Sequence, residues 1–176
     1  MDLLDFNDCE LYFEVPLPPD VERLMLLASE SRDSEAESAL LSAHALAPDH
    51  LTVLVGLYRF YFFRHRLDDA LIVAERAMSL TGVQLGLPPD WRELDETLLG
   101  RAATTSFGLL RFHLLALKAI CVVLLRLGRI APARERLEKL VALDRHDRFS
   151  GARLLEIVDE FRHPEDACAE PVMAVA

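Results

Sequence analysis

The amino-acid sequence predicts an all-α protein, and three observations predict it. Helix formers, chiefly Leu, Ala, Glu and Arg, dominate the chain, and their side chains lose little rotamer freedom in a helix. β-Branched runs are short; the longest centres on Val122-Val123. Small residues recur on single stripes: in "LDDALIVAERAMSL", Leu67 to Leu80, alanines stand at Ala70, Ala74 and Ala77. Gaps of four and then three put all three on one helical face, where a neighbouring helix backbone can come close.

Turn signals place about eight helices. Two near-copies, "LPPDVERL" from Leu17 and "LPPDWREL" from Leu87, read as helix starts. Proline is tolerated only in a first turn, and Asp20 or Asp90 can cap the exposed amides. Glu93 stands where it could complete a capping box with Asp90. The first helix spans about 20–31. Ser31 to Ser34 breaks it and opens a helix at 34–46, which Pro48-Asp49 ends. A third helix runs 50–64, His65 to Asp68 turns the chain, and a fourth runs 67–80. Thr81 to Pro89, with two glycines and two prolines, reads as a loop. Helices near 90–102 and 107–127 follow, with a break at Gly100 or at Thr104 to Ser106. Gly128-Arg129 and Arg145 to Ser150 then separate helices near 130–143 and 150–162.

The 176 residues, 52% of them hydrophobic, suit one compact domain or a short solenoid with a real core. Net charge is −10 and is polarised along the chain. Residues 1–50 alone carry −10, whereas residues 101–155 carry +7. An acidic arm at 1–15 and a frayed, flexible tail at 163–176 flank the helices. The acidic balance argues against nucleic-acid binding. Cys9, Cys121 and Cys168 form no CxxC pair, which fits a reducing, cytoplasmic setting. The N-terminus lacks the basic and apolar regions of a secretion signal. "GLLRFHLLALKAICVVLL", from Gly108, is very apolar but carries Arg111, His113 and Lys118. Those residues would be costly in lipid, so a helix buried in protein is expected rather than a membrane span.

The alanine stripe recurs. Ala36, Leu40, Ala43 and Pro48 mark a first unit at about 17–50; Leu54, Leu57, Tyr61, Ala70 and Ala77 mark a second at about 51–84. Leu117, Ile120, Cys121, Leu124, Gly128 and Ala133 mark a third at about 114–147. This pattern resembles the tetratricopeptide repeat family, whose helix–turn–helix unit is about 34 residues long. The likeness covers about 100 of the 176 residues. It departs from the family pattern at Tyr58, where a small residue is usual, at Ala74, in a large-residue slot, at Gly82 in place of the closing proline, and at Leu140 and Arg145. The resemblance implies a right-handed α-solenoid of antiparallel helix pairs over 16–162, with an insert near 85–113 and a terminal capping helix.

The resemblance also implies function. First helices of such units line a concave groove, here with Thr52, Val55, Arg59, Phe62 and Phe63 from the second unit. The third unit adds Lys118, Val122 and Arg126, beside Leu115 and Ala119. Some members clamp a peptide's terminal carboxylate with Lys and Asn; the corresponding positions here, among them Val21, Met25, Val55 and Gly56, do not fit that role. The cations beside apolar residues suit an amphipathic or acidic segment of another protein. "LYRFYFF", from Leu57, holds more aromatic surface than one neighbouring helix can cover. The inserted helix, a second copy in a homodimer, a partner peptide, or the chain's own acidic arm could cover the rest.

No phosphate loop, GxSxG or HExxH occurs, and the six histidines lack metal-site spacing, so catalytic residues, metals and cofactors are not expected. The histidines are expected at surfaces and corners. The expected function is a non-enzymatic adaptor or chaperone-like factor, with a self-associating structural module as the alternative.

Overall fold

The computed structural model describes residues 15–160. Among them are eight α-helices and no strand. The helices are α1 (Pro19–Glu30), α2 (Asp33–Leu46), α3 (Leu51–Phe63), α4 (Leu67–Leu85), α5 (Glu96–Thr105), α6 (Phe107–Arg126), α7 (Ile130–Leu143) and α8 (Gly151–Glu160). A single 3-10 turn, Trp91–Glu93, precedes α5. The acidic arm and the tail expected at the ends lie outside the described residues, apart from Val15.

Helices that follow one another pack on one another: α1 on α2, α2 on α3, α3 on α4, α6 on α7 and α7 on α8. The broadest contact skips α5 and joins α4 to α6. The small-residue stripes form these seams. Ala70, Ala74 and Ala77 are at most 5% exposed, and Ala36, Ala43 and Ala133 are buried with them.

The chain makes the same corner twice. His65 and Gly128 both sit at positive φ, 58° and 72°. The following residues, Arg66 and Arg129, share φ −84° and ψ 68° and begin α4 and α7. Their amides reach back to Tyr61 O and Leu124 O, each at 2.9 Å. Both arginines then pair with an earlier helix, Arg66 with Glu37 on α2 and Arg129 with Asp68 on α4 at 2.7 Å. These groups all reach solvent, so the pairs fix register more than stability.

Two departures from the repeat pattern compensate each other. The large Tyr58 and the small Ala74 line one cavity of about 20 Å³ between α3, α4 and α6. Ring volume added on α3 occupies the space left on α4. Leu140, larger than the alanine of the other seams, is 0% exposed. A Cβ at Gly151 would stand 3.3 Å from its Cδ2, so the glycine leaves room for it.

Several sequence expectations are corrected. Helix α4 continues past 80 to Leu85, because Thr81 Oγ1 returns a hydrogen bond to Ala77 O at 3.0 Å and Gly82 packs against the His113 ring. It ends at Gly86, φ 65°, a left-handed C-cap that glycine adopts without strain. The helix expected near 90–102 is instead the 3-10 turn plus α5. Asp90 accepts from Arg92 N at 2.9 Å, and Asp95 caps α5 by accepting from Leu98 N at 2.7 Å. Asp20 does not cap α1; it lies in the first turn and pairs with Arg23. Gly100 lies inside α5, and the break falls at Ser106.

Helix α6 is the centre of the core. It is long and apolar enough to cross a membrane, yet 72% of that stretch is buried inside the protein. The aromatic run on α3 is covered chiefly by α1, α2, α4 and α6, and residues 85–105 pack elsewhere. Leu87, Leu94, Leu99 and Ala102 form a second cluster with Leu110, Leu114 and Leu117 of α6.

Candidate functional site

The predicted groove is only partly open. Thr52, Val55, Arg59 and Val122 are half-buried, and Arg126 and Phe63 are exposed. Phe62 and Lys118, expected to offer contact surface, are each 7% exposed. Phe62 is enclosed because Arg126 lies over its ring, 4.5 Å from the centroid, and Tyr58 stacks beside it at 5.6 Å. Arg126 also donates to His65 Nδ1 at 2.7 Å. The structure therefore brings Phe62 and Arg126 together as a closed contact across α3 and α6. Leu115 and Ala119, beside them on α6, are buried too.

The larger opening lies at the other end of α6. A cleft of about 660 Å³ is bounded by α5, the first half of α6 and the corner between α7 and α8. It exists because α6 has 20 residues and α7 has 14, so the first turns of α6 meet α5 and the chain beyond α7. Ser106 starts α6 by accepting from Leu109 N at 3.2 Å. That cap sets Phe107, Leu110, Arg111, Leu114 and Leu115 along one wall.

The cleft has an apolar floor and a mainly cationic rim. Leu99, Leu110, Leu114, Leu143 and Phe149 line it, and Phe107 projects at its edge, 62% exposed. Arg111, Arg145, His146 and Arg148 face Glu96 and Asp144 around it. Both carboxylates are engaged. Glu96 pairs with Arg145 at 2.5 Å, tying α5 to the far wall. Asp144 accepts from Phe149 N at 2.8 Å, which holds the corner and places the Phe149 ring. Arg111, Arg145 and Arg148 outnumber Glu96 and Asp144 by one, so the lining is apolar and weakly positive, which suits an anionic, amphipathic segment.

Repeat position points to the C-terminal half of α6, whereas the cleft lies along its first half. The missed residues are Phe107, Arg111, Leu114, Arg145, Arg148 and Phe149. The signal available was local: a phenylalanine directly after a Ser N-cap, and two arginines beside Phe149 in "DRHDRF".

Two groups bear on chemistry. Cys121 is buried, and burial pushes its thiol up to about 12, so it is no nucleophile near neutrality. His113 corrects the expectation of surface histidines. It is 3% exposed, and burial lowers its pKa to about 4, so the ring is neutral at pH 7. It sits in the α4–α6 seam with Nδ1 2.9 Å from Thr81 Oγ1.

Comparison with known proteins gives an informative similarity. A protein of Azotobacter chroococcum mcd 1, described as an uncharacterized 19.8 kDa protein in the nifW 5′ region, is 46% identical over 160 residues. The match spans 91% of this chain and 90% of that protein. No family model matches the chain, and no solved structure matches it.

Proposed function

We propose that this chain, which belongs to the family of the 19.8 kDa protein of the nifW 5′ region, is a non-enzymatic interaction module. Its helix pairs stack as a tetratricopeptide-like solenoid of about three units. It acts in the cytoplasm as an adaptor or chaperone-like assembly factor. Its ligand is an apolar segment of another protein that also carries acidic side chains.

The observation that carries this reading is the cleft of about 660 Å³, with leucines and phenylalanines below and arginines above. A segment that buries two large apolar side chains there gains roughly 3–6 kcal/mol before ordering costs. Exposed arginines on the rim speed encounter and exclude basic competitors more than they add affinity. The recurring corners and buried alanine seams support a rigid scaffold for the site. Because the relative's gene lies beside nifW, the nifW product is the first partner to test.

The test is co-purification of tagged wild-type protein and the Phe107→Glu/Arg148→Glu variant with the nifW product. Retention by the wild type and loss by the variant supports the reading. Equal retention moves the interface away from the cleft.

A second reading, self-association, is favoured by Leu26, Leu27 and Leu41, which are 59%, 42% and 47% exposed on the first helix pair. Sedimentation at low concentration separates the two, because a monomer that still binds its partner excludes a required homodimer.

A further inference from the structure

A second cavity, of about 400 Å³, opens between α4, α6, α7 and the segment that carries Trp91. It shares no residue with the cleft, and its volume lies within the roughly 300–1,000 Å³ typical of small-molecule sites. Met78, Pro88, Trp91 and Ile120 give it an apolar wall. Among its polar lining, which also holds Glu75 and Ser79, two groups on different helices stand out.

The first is His113, whose ring lines the cavity although it is 3% exposed. Thr81 has one hydroxyl proton, and the carbonyls of Ala77 and Met78 both lie 3.0 Å from its oxygen. With that proton given to a carbonyl, Thr81 Oγ1 accepts from Nδ1–H at 2.9 Å. Nε2 is then a bare acceptor, and it has no hydrogen-bond partner. A buried acceptor of this kind is costly unless something donates to it.

The second is Arg136. Its guanidinium lies 5.1 Å from the Trp91 ring centroid, and it donates once, to Pro132 O at 3.2 Å. Glu75 stands 4.0 Å away and is more than half exposed, so the pair is loose. The rest of the planar fork is suited to a carboxylate.

We propose that this cavity binds a small planar aromatic acid bearing a hydroxyl or N–H group, with its carboxylate on Arg136 and its donor on His113 Nε2. The aromatic body lies on the apolar wall. Nε2 has no solvent contact, so the ligand reaches it only when the lining shifts, and Met78 is the unbranched, adaptable side chain of that lining.

The test titrates the full-length protein with 4-hydroxybenzoate and with benzoate, which lacks the donor. The wild type binds 4-hydroxybenzoate saturably and about tenfold more tightly than benzoate, as one net hydrogen bond requires. His113→Phe binds both acids alike, and Arg136→Met weakens both to the same degree. The wild-type His113 Nε2 nitrogen resonance moves with 4-hydroxybenzoate and not with benzoate; that reading decides the matter if His113→Phe fails to fold. Absence of saturable binding, a preference that survives His113→Phe, or an unmoved Nε2 resonance overturns the proposal. His113 and Arg136 lie outside the cleft, so effects of their replacement report this site alone, and this site and the partner-binding reading can fail separately.

Discussion

Acidification should destabilise this protein through His113 before most carboxylates titrate. In the folded chain the ring is buried between α4 and α6 and titrates near pH 4; unfolded, it titrates near the ordinary 6.5. A depressed histidine leaves stability unchanged while both states are neutral and lowers it once the unfolded state protonates. Below about pH 6.5 the unfolded chain gains a proton that the folded chain refuses until about pH 4. Stability therefore falls across that window. A difference of about 2.5 pKa units corresponds to roughly 3 kcal/mol, a large share of the usual 5–15 kcal/mol. The assay is urea denaturation followed by helical circular dichroism at several pH values, for wild type and His113→Gln. Carboxylate effects common to both proteins cancel in the difference. Any fixed cost of the glutamine is the same at every pH. The wild type should lose about 3 kcal/mol relative to the variant between about pH 7 and pH 4. A difference that stays flat across that range would refute the buried, neutral histidine.

Other predictions concern packing and capping. Tyr58→Ala should cost about 3–5 kcal/mol by leaving a cavity, and Ala74→Leu about 1–3 kcal/mol by overpacking. Because both residues line one space, the double variant should cost clearly less than the sum, as a double-mutant cycle will show. Asp95→Ala should cost about 1 kcal/mol by removing the α5 cap, with faster amide exchange confined to α5 and the cleft wall it forms. Asp68→Ala, which removes the exposed partner of Arg129, should change stability by less than about 1 kcal/mol.

Much of the fold was legible because periodicity and corners are local signals. Alanines spaced four and three apart named the α4 seam, and Gly128 and His65 named corners that prove to share one geometry. Element ends were harder where tertiary packing overrode composition. Thr81 and Gly82 read as loop residues, yet contact with His113 keeps them helical. Asp90 and Asp95 each cap their own short element, so one expected helix became two. The site was less legible than the fold. Repeat position pointed to the C-terminal half of α6, but Arg126 closes over Phe62 there. The opening arises from the unequal lengths of α6 and α7 and from where α5 docks, neither of which is written in any short motif. His113 differed from the other five histidines in lying in the apolar stretch from Gly108, but which side of that helix is closed depends on a helix 32 residues away.

The central claim is that a partner segment occupies the cleft between α5, α6 and the α7–α8 corner. The most direct measurement places a photo-crosslinking amino acid at Phe107 and, in a separate protein, at Ile72, which is equally exposed at 66% but lies on α4 away from the cleft. With the nifW product present, irradiation should give a crosslinked pair from position 107 and none from position 72, and the attachment should map to a leucine- or phenylalanine-containing acidic stretch. Crosslinks from position 72 alone, or from both positions alike, would contradict the account.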